Sequence, residues 1–276
     1  MDQKKHGHAP WVVVTAYDAP TASLLERSGV DWVLVGDSVA TVLLGYAATS
    51  EVTLDEMTHH VRAVRRGLRT RPLIADMPLC GMGRSAAEGL ESALQLKRAD
   101  ADAIKIENGP HALEVVRACV AEGIECLGHV GLTPQALVPG ESPKARGRSA
   151  DEAAEIIEQA IAFEKAGACA VVIECVPAEV SRRITAMLKV PTIGIGSGAF
   201  CDGQVLVYQD LVGATSGPSP RFVKRYADLS SSAGDAVGRF AADVRAGRYP
   251  AIEHTYPMPP AELERLEEKL DRSARP

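Results

Sequence analysis

Apolar residues are distributed along this chain in two alternating textures. Short, nearly unbroken runs rich in Val, Ile and Ala occupy residues 11–15 (WVVVT), 32–36 (WVLVG), 72–76 (PLIAD), 103–107 (AIKIE), 124–130 (IECLGHV), 170–174 (AVVIE), 192–196 (TIGIG) and the region 205–208 (VLVY). Unbroken rather than alternating hydrophobicity is what a parallel strand shows when both of its faces are covered. Between the runs lie amphipathic stretches at helical spacing, over 19–28, 54–67, 86–98, 110–122, 150–166 and 178–188. Gly29, Gly67, Gly123 and Gly167 stand at several of their ends, where a left-handed residue is cheapest as glycine. Eight strands joined by six clear helical crossovers predict an α/β fold, a single (β/α)8 barrel. A doubly wound sheet fits less well, because it usually has fewer strands or a glycine-rich first turn, and the first turn here reads AYDAPT. Beyond Gln204 the pattern predicts further helices near 233–246 and 260–272. The last carries Leu263, Leu266 and Leu270 on one edge, either a solvated helix or a surface for another subunit. Residues 1–10 read as a flexible tail and 255–276 as a helical extension of the one domain.

Composition narrows the function. Apolar residues are 46% and charged residues 24%, as in globular proteins, whereas aromatics are only 4%. The core must therefore be built from Val, Ile, Leu and Ala, and little is left for stacking on bases. With 30 Lys and Arg against 36 Asp and Glu the net charge is −6, so no basic field draws in a polyanion, and no nucleic-acid partner is expected. The six cysteines form no C-x-x-C pair and sit mostly among apolar residues, as buried thiols of a reducing compartment do. The start, MDQKKHGHAP, lacks the apolar stretch of a secretory signal, and no apolar run is long enough to span a membrane. A cytoplasmic chain with no membrane partner is expected.

Active sites of such barrels lie at the C-terminal ends of the strands, so the residues that end each run carry the chemical information. The second run ends in Gly36-Asp37-Ser38, the third in Asp76, the fourth in Glu107 and the sixth in Glu174, while the fifth reaches His129. These five ionisable groups are expected at one mouth. Lys105 and Glu107 are two apart and share a face, which turns Ile104 and Ile106 toward the helices. A lysine between two isoleucines in a buried strand is costly unless paired. Carboxylates gathered at one mouth repel one another unless a cation sits among them, and oxygen ligands alone favour a hard ion such as Mg²⁺. Glu174 follows AVVI and precedes CVP, so desolvation is expected to raise its pKa toward the range of a general base. His129 could donate to a ligand oxygen or simply hold structure. Any one carboxylate could instead cap a helix or pair with a core cation. Gly194-Ile195-Gly196-Ser197-Gly198 is a weak candidate for a phosphate cradle.

Taken in order, GDS (36–38), AD-x-P (75–78), KIE (105–107), GH-x-GLTPQ (128–135), ECVP (174–177), IGIG-x-G (193–198) and DGQ-x-LV (202–207) resemble the ketopantoate hydroxymethyltransferase family, over about residues 10–255. VTAYD (14–18) and PRFVKRY (220–226) belong to the same resemblance. It implies a barrel of the phosphoenolpyruvate/pyruvate superfamily type. It also implies hydroxymethyl transfer from 5,10-methylenetetrahydrofolate to 3-methyl-2-oxobutanoate through a Mg²⁺-stabilised enolate, giving the 2-dehydropantoate of pantothenate biosynthesis. By position, Asp37 and Asp76 would hold the metal, with Glu107 contributing directly or through water. Asp37, Ser38, Asp76, Lys105 and His129 would contact the substrate, Ser38 and Lys105 through its carboxylate, and Glu174 would be the catalytic base. The family forms homo-oligomers, decamers among them. Loops around these positions have drifted: Val39-Ala40-Thr41 follows GDS where the family has Gly-Met, Glu51 replaces a turn proline, and 141–148 and 208–209 differ. Two other readings stay open on the sequence, a paralogue using the same chemistry on another 2-oxo acid or one-carbon donor, and a non-catalytic barrel that keeps the chelate.

Overall fold

The structure, a computed structural model, describes residues 9–137, 144–215 and 220–273. Among them, eight parallel strands close into a barrel in chain order. These are β1 (Trp11–Thr15), β2 (Trp32–Val35), β3 (Leu73–Asp76), β4 (Ala103–Glu107), β5 (Glu125–Gly131), β6 (Ala170–Glu174), β7 (Thr192–Ile195) and β8 (Gly203–Leu206). The crossovers carry α1 (Ala19–Glu26), α2 (Leu54–Gly67), α3 (Ala86–Arg98), α4 (Ala112–Ala121), α5 (Ala150–Ala166) and α6 (Ala178–Met187). Helices start where the sequence offers a cap: Asp18 accepts the Thr21 N–H at 2.7 Å, and Thr53 and Glu56 cap each other's backbone at α2. The eighth strand begins two residues earlier than its hydropathy suggests. Gly203 and Gln204 pair with both β7 and β1, and Tyr208 already opens the short α7 (Tyr208–Leu211). The expected tail lies, for residues 1–8, outside the described residues, as do 141–143 of the drifted loop.

Strand alternation sorts the core into two layers. Trp11, Val13, Leu34, Ile74, Leu127, Val172, Ile193 and Val205 face the barrel axis in one cluster. Val33, Ala75, Ile104, Ile106, Cys126, Val130 and Ile173 face the helices in a larger one. The axial layer stays apolar through the lower part of the barrel and turns polar at the C-terminal ends. There the register sets Asp76 beside Lys105, Glu107 beside His129, and Gly131 beside Glu174. Gly29, Gly123 and Gly167 take φ of 76°, 74° and 100°, as helix-ending glycines do. Gly67 is a glycine for a different reason: a Cβ there would lie 2.3 Å from the carbonyl oxygen of Ala19, so the contact of α2 with α1 requires its absence.

The chain divides after Ala227 into two compact units, the second running from Asp228 to Pro276. That unit holds α8 (Leu229–Arg245) and α9 (Pro260–Ser273), neither with a buried residue. The helical part thus takes in α8 as well as the segment from 255 onward. No helix among the described residues is long and apolar enough to cross a membrane.

Candidate active site

All seven residues singled out from the sequence line one cavity at the C-terminal mouth of the barrel. It is about 100 Å³, open to solvent, and lined by Asp37, Ser38, Asp76, Lys105, Glu107, His129 and Glu174 together with Thr15 and Thr49. Each reaches the mouth from the C-terminal end of a strand whose other inward residues are apolar: it follows the strand, ends it, or sits one alternation below its end. Asp37 and Ser38 leave β2, Asp76 ends β3, Lys105 and Glu107 share the inner face of β4, and Glu174 ends β6.

The charges form one connected set. The Asp37 N–H donates to Asp76 Oδ2 at 3.0 Å, and Asp76 Oδ1 stands 3.0 Å from Lys105 Nζ. Lys105 Nζ is also 3.1 Å from His129 Nδ1, which lies 3.2 Å from Glu107 Oε1. On the other side of the ring, His129 Nε2 lies 3.1 Å from Glu174 Oε2. Nδ1 therefore faces a donor-only ammonium and an acceptor-only carboxylate at once and can satisfy one of them. Burial and mutual repulsion set the protonation. Asp37 is pushed up to about 6 by burial and then by Glu107, against Lys105 and Gln135. Asp76 is pushed up to about 6 by burial, with Lys105 opposing and Asp37 adding to it. Burial would drive Lys105 toward neutrality, but Asp76, Glu107 and Asp37 outweigh it and raise its pKa above the ordinary value. For His129, burial and Lys105 pull the pKa down, yet Glu107 and Glu174 carry it up to about 9.

Two features of the sequence reading need correction. Glu174 is not enclosed by apolar groups: its side chain is 16% exposed to the cavity and its carboxylate faces His129. The strand run before it is apolar, but those residues alternate, and Ile173 points to the helices. The glycine segment after β7 is no cradle either. The spaces over Gly196 and Gly198 are filled by Phe222 and Ala178, and the buried Ser197 hydroxyl donates to Ile173 O at 2.9 Å.

Sequence reasoning passed over Gln135 and Tyr17. Gln135 is buried in the loop after β5. Its Nε2 donates to Asp37 Oδ2 at 2.8 Å and Met77 O at 2.9 Å, and its backbone N–H donates to Glu107 Oε2 at 3.2 Å. Both side-chain partners are pure acceptors, so the amide orientation is fixed by chemistry. The signal for it was present in GLTPQ, as a residue inside a motif rather than at a strand end.

The donor set suits a hard cation. Asp76 Oδ1 and Glu107 Oε1 are buried, and among the described residues they face the charged groups named above, Lys105 and His129. Among the described residues no three His, Cys, Asp or Glu converge as a ready cage, and Glu107 is turned toward His129 and Gln135. Two adjacent carboxylates with room for water and substrate oxygens are what Mg²⁺ takes, rather than an all-protein cage.

The chain matches the family model described as ketopantoate hydroxymethyltransferase over residues 1–252. It is 44% identical over 271 residues to the 3-methyl-2-oxobutanoate hydroxymethyltransferase of Nitratidesulfovibrio vulgaris (strain Hildenborough), covering 98% of this chain and 88% of that one. It is 46% identical over 245 residues to the enzyme of the same name from Moorella thermoacetica, covering 88% and 91%. Among solved structures, phosphoenolpyruvate phosphomutase from Streptomyces platensis subsp. rosaceus superposes with a TM-score of 0.58 at 18% identity, over 98% of this chain and 96% of that one. At that identity the likeness is one of fold.

Proposed function

This chain belongs to the ketopantoate hydroxymethyltransferase family, and on that premise we propose how its barrel mouth transfers a hydroxymethyl group to 3-methyl-2-oxobutanoate, giving 2-dehydropantoate. The observation that carries the reading is the single cavity gathering all seven expected polar side chains. Asp37 and Asp76, with Glu107 directly or through water, would hold a divalent cation such as Mg²⁺. When bound, it supplies a Lewis acid for the 2-oxo group and the neighbouring carboxylate of the substrate. Ser38 and the Lys105 ammonium bind that carboxylate and orient the chelating end of the molecule. Glu174, on the side of the ring away from Asp76, takes the proton from C3. His129 stands between Glu174 and Glu107 and keeps the base turned into the cavity. An Nε2–H toward Glu174 is present in the imidazolium and in the tautomer whose Nδ1 accepts from Lys105, so this placement survives either charge state. The one-carbon unit comes from 5,10-methylenetetrahydrofolate, the co-substrate that the family resemblance implies: one water breaks both C–N bonds of its methylene and supplies the oxygen, tetrahydrofolate leaves, and the carbon nucleophile formed at C3 adds to the resulting formaldehyde-level carbon, whose oxygen takes a proton to become the hydroxyl. Six cysteines outside any disulfide, three of them buried, fit a reducing cytoplasm, and the apolar edges of α8 and α9 fit a homo-oligomer.

Base and chelate are separable in one experiment. In deuterated water with Mg²⁺ and without a folate donor, the wild-type protein is expected to exchange the C3 proton of 3-methyl-2-oxobutanoate. Glu174→Gln is expected to bind the oxo acid and lose exchange by about 10²-fold or more. Normal exchange in that variant would refute the assignment of the base.

A further inference from the structure

Tyr17, just beyond the end of β1, is 2% exposed, yet its phenol oxygen lies 2.8 Å from Ser38 Oγ at the edge of the cavity. Its backbone is held in place: its carbonyl oxygen accepts from His60 Nδ1 at 2.7 Å, and the next residue, Asp18, caps α1. Ser38 is constrained from below. A Cβ on Gly36 would stand 2.8 Å from Ser38 Oγ, so the hydroxyl folds back over a glycine that leaves room for it. Thr15, one alternation before Tyr17, has its Oγ1 occupied by the Tyr208 backbone N–H at 3.0 Å.

Two hydroxyls facing each other can order their protons either way, and here the chemistry chooses. A phenol is a stronger donor than an aliphatic alcohol. Burial and the charges of Asp37 and Asp76 also hold this one protonated. Tyr17 therefore donates to Ser38, which leaves the one proton of Ser38 free to point into the cavity. Were the order reversed, Ser38 would turn lone pairs toward an incoming anion.

We propose that Tyr17 is a positioning residue that fixes the polarity of Ser38, making it a committed donor to the carboxylate of the 2-oxo acid. This deepens the reading given above and rests on its assignment of Ser38 to that carboxylate. The test is a double-mutant cycle on KM for 3-methyl-2-oxobutanoate. Ser38→Ala is expected to raise KM about tenfold, the loss of one charge-assisted hydrogen bond. Tyr17→Phe is expected to raise KM about three- to tenfold, moving KM more than kcat, and the double variant to be no worse than Ser38→Ala, because Tyr17 acts through Ser38. An unchanged KM in Tyr17→Phe, or effects that multiply in the double variant, would overturn the role of Tyr17. An unchanged KM in Ser38→Ala would instead overturn the Ser38 assignment and this inference with it. A second probe keeps the fold intact: 3-fluorotyrosine placed at position 17, a stronger donor of the same shape, should lower KM about twofold, whereas a raised or constant KM contradicts the stated direction.

Discussion

Asp37 and Asp76 carry charges that the fold itself does not welcome. Each is buried, each faces the other, and both are pushed up to about 6. The sign of the consequence follows from linkage. A carboxyl whose folded pKa lies above its unfolded value stabilises the fold while protonated, below about 3.9, and loses that contribution as pH rises through about 6. A divalent cation bound by the ionised pair offsets the loss, so it competes with protons. Saturating Mn²⁺ is therefore expected to raise the melting temperature of the protein strongly at pH 7.5 and weakly at pH 5, and Asp76→Asn to flatten the difference. Equal shifts at both pH values would remove the pair from the metal site. At this scale the sequence was most legible where chemistry was improbable: Lys105 between isoleucines had to be paired, and it stands 3.0 Å from Asp76. Gln135 was passed over for the opposite reason. A glutamine in a polar loop looks like any other, and only the closed barrel brings it to Asp37, 98 positions away in sequence.

Strands and helices were readable because each repeats one rule many times. Five-residue apolar runs between capped amphipathic helices leave few topologies, and short right-handed crossovers leave one. The misreadings lie where a single contact overrides the pattern. At β8, hydropathy pointed to Val205 onward, but pairing on both sides begins at Gly203. Gly67 looked like a helix terminator, yet its lack of a side chain is what lets α2 reach Ala19. An alanine there must push against a backbone carbonyl, which cannot rotate away. Gly67→Ala is expected to destabilise the barrel by about 1–3 kcal/mol in urea titration, whereas Gly29→Ala, with open space around it, should cost only the strain of its φ of 76°. If Gly67→Ala were neutral or stabilising, the helix-propensity gain would have won, and the close contact of α1 with α2 would not matter energetically.

The unit that ends at Ala227 has what a folded domain needs: two apolar layers, a closed sheet and a polar mouth. The unit that begins at Asp228 does not. Neither α8 nor α9 buries a residue, and Val237, Phe240, Ile252 and Leu270 are exposed by 66%, 54%, 85% and 59%. Leu263, Leu266 and Leu270 fall on one edge of α9, as the sequence spacing foretold, but a helix edge gains stability only when something covers it. Helices of 17 and 14 residues without such cover are marginal in water. A fragment spanning 228–276 is therefore expected to give a largely coil circular-dichroism spectrum at micromolar concentration, with helix appearing only when trifluoroethanol is added. A fragment that is helical and melts cooperatively at a concentration-independent temperature would mean that these residues make a core of their own, and the apolar edges would then need no further cover.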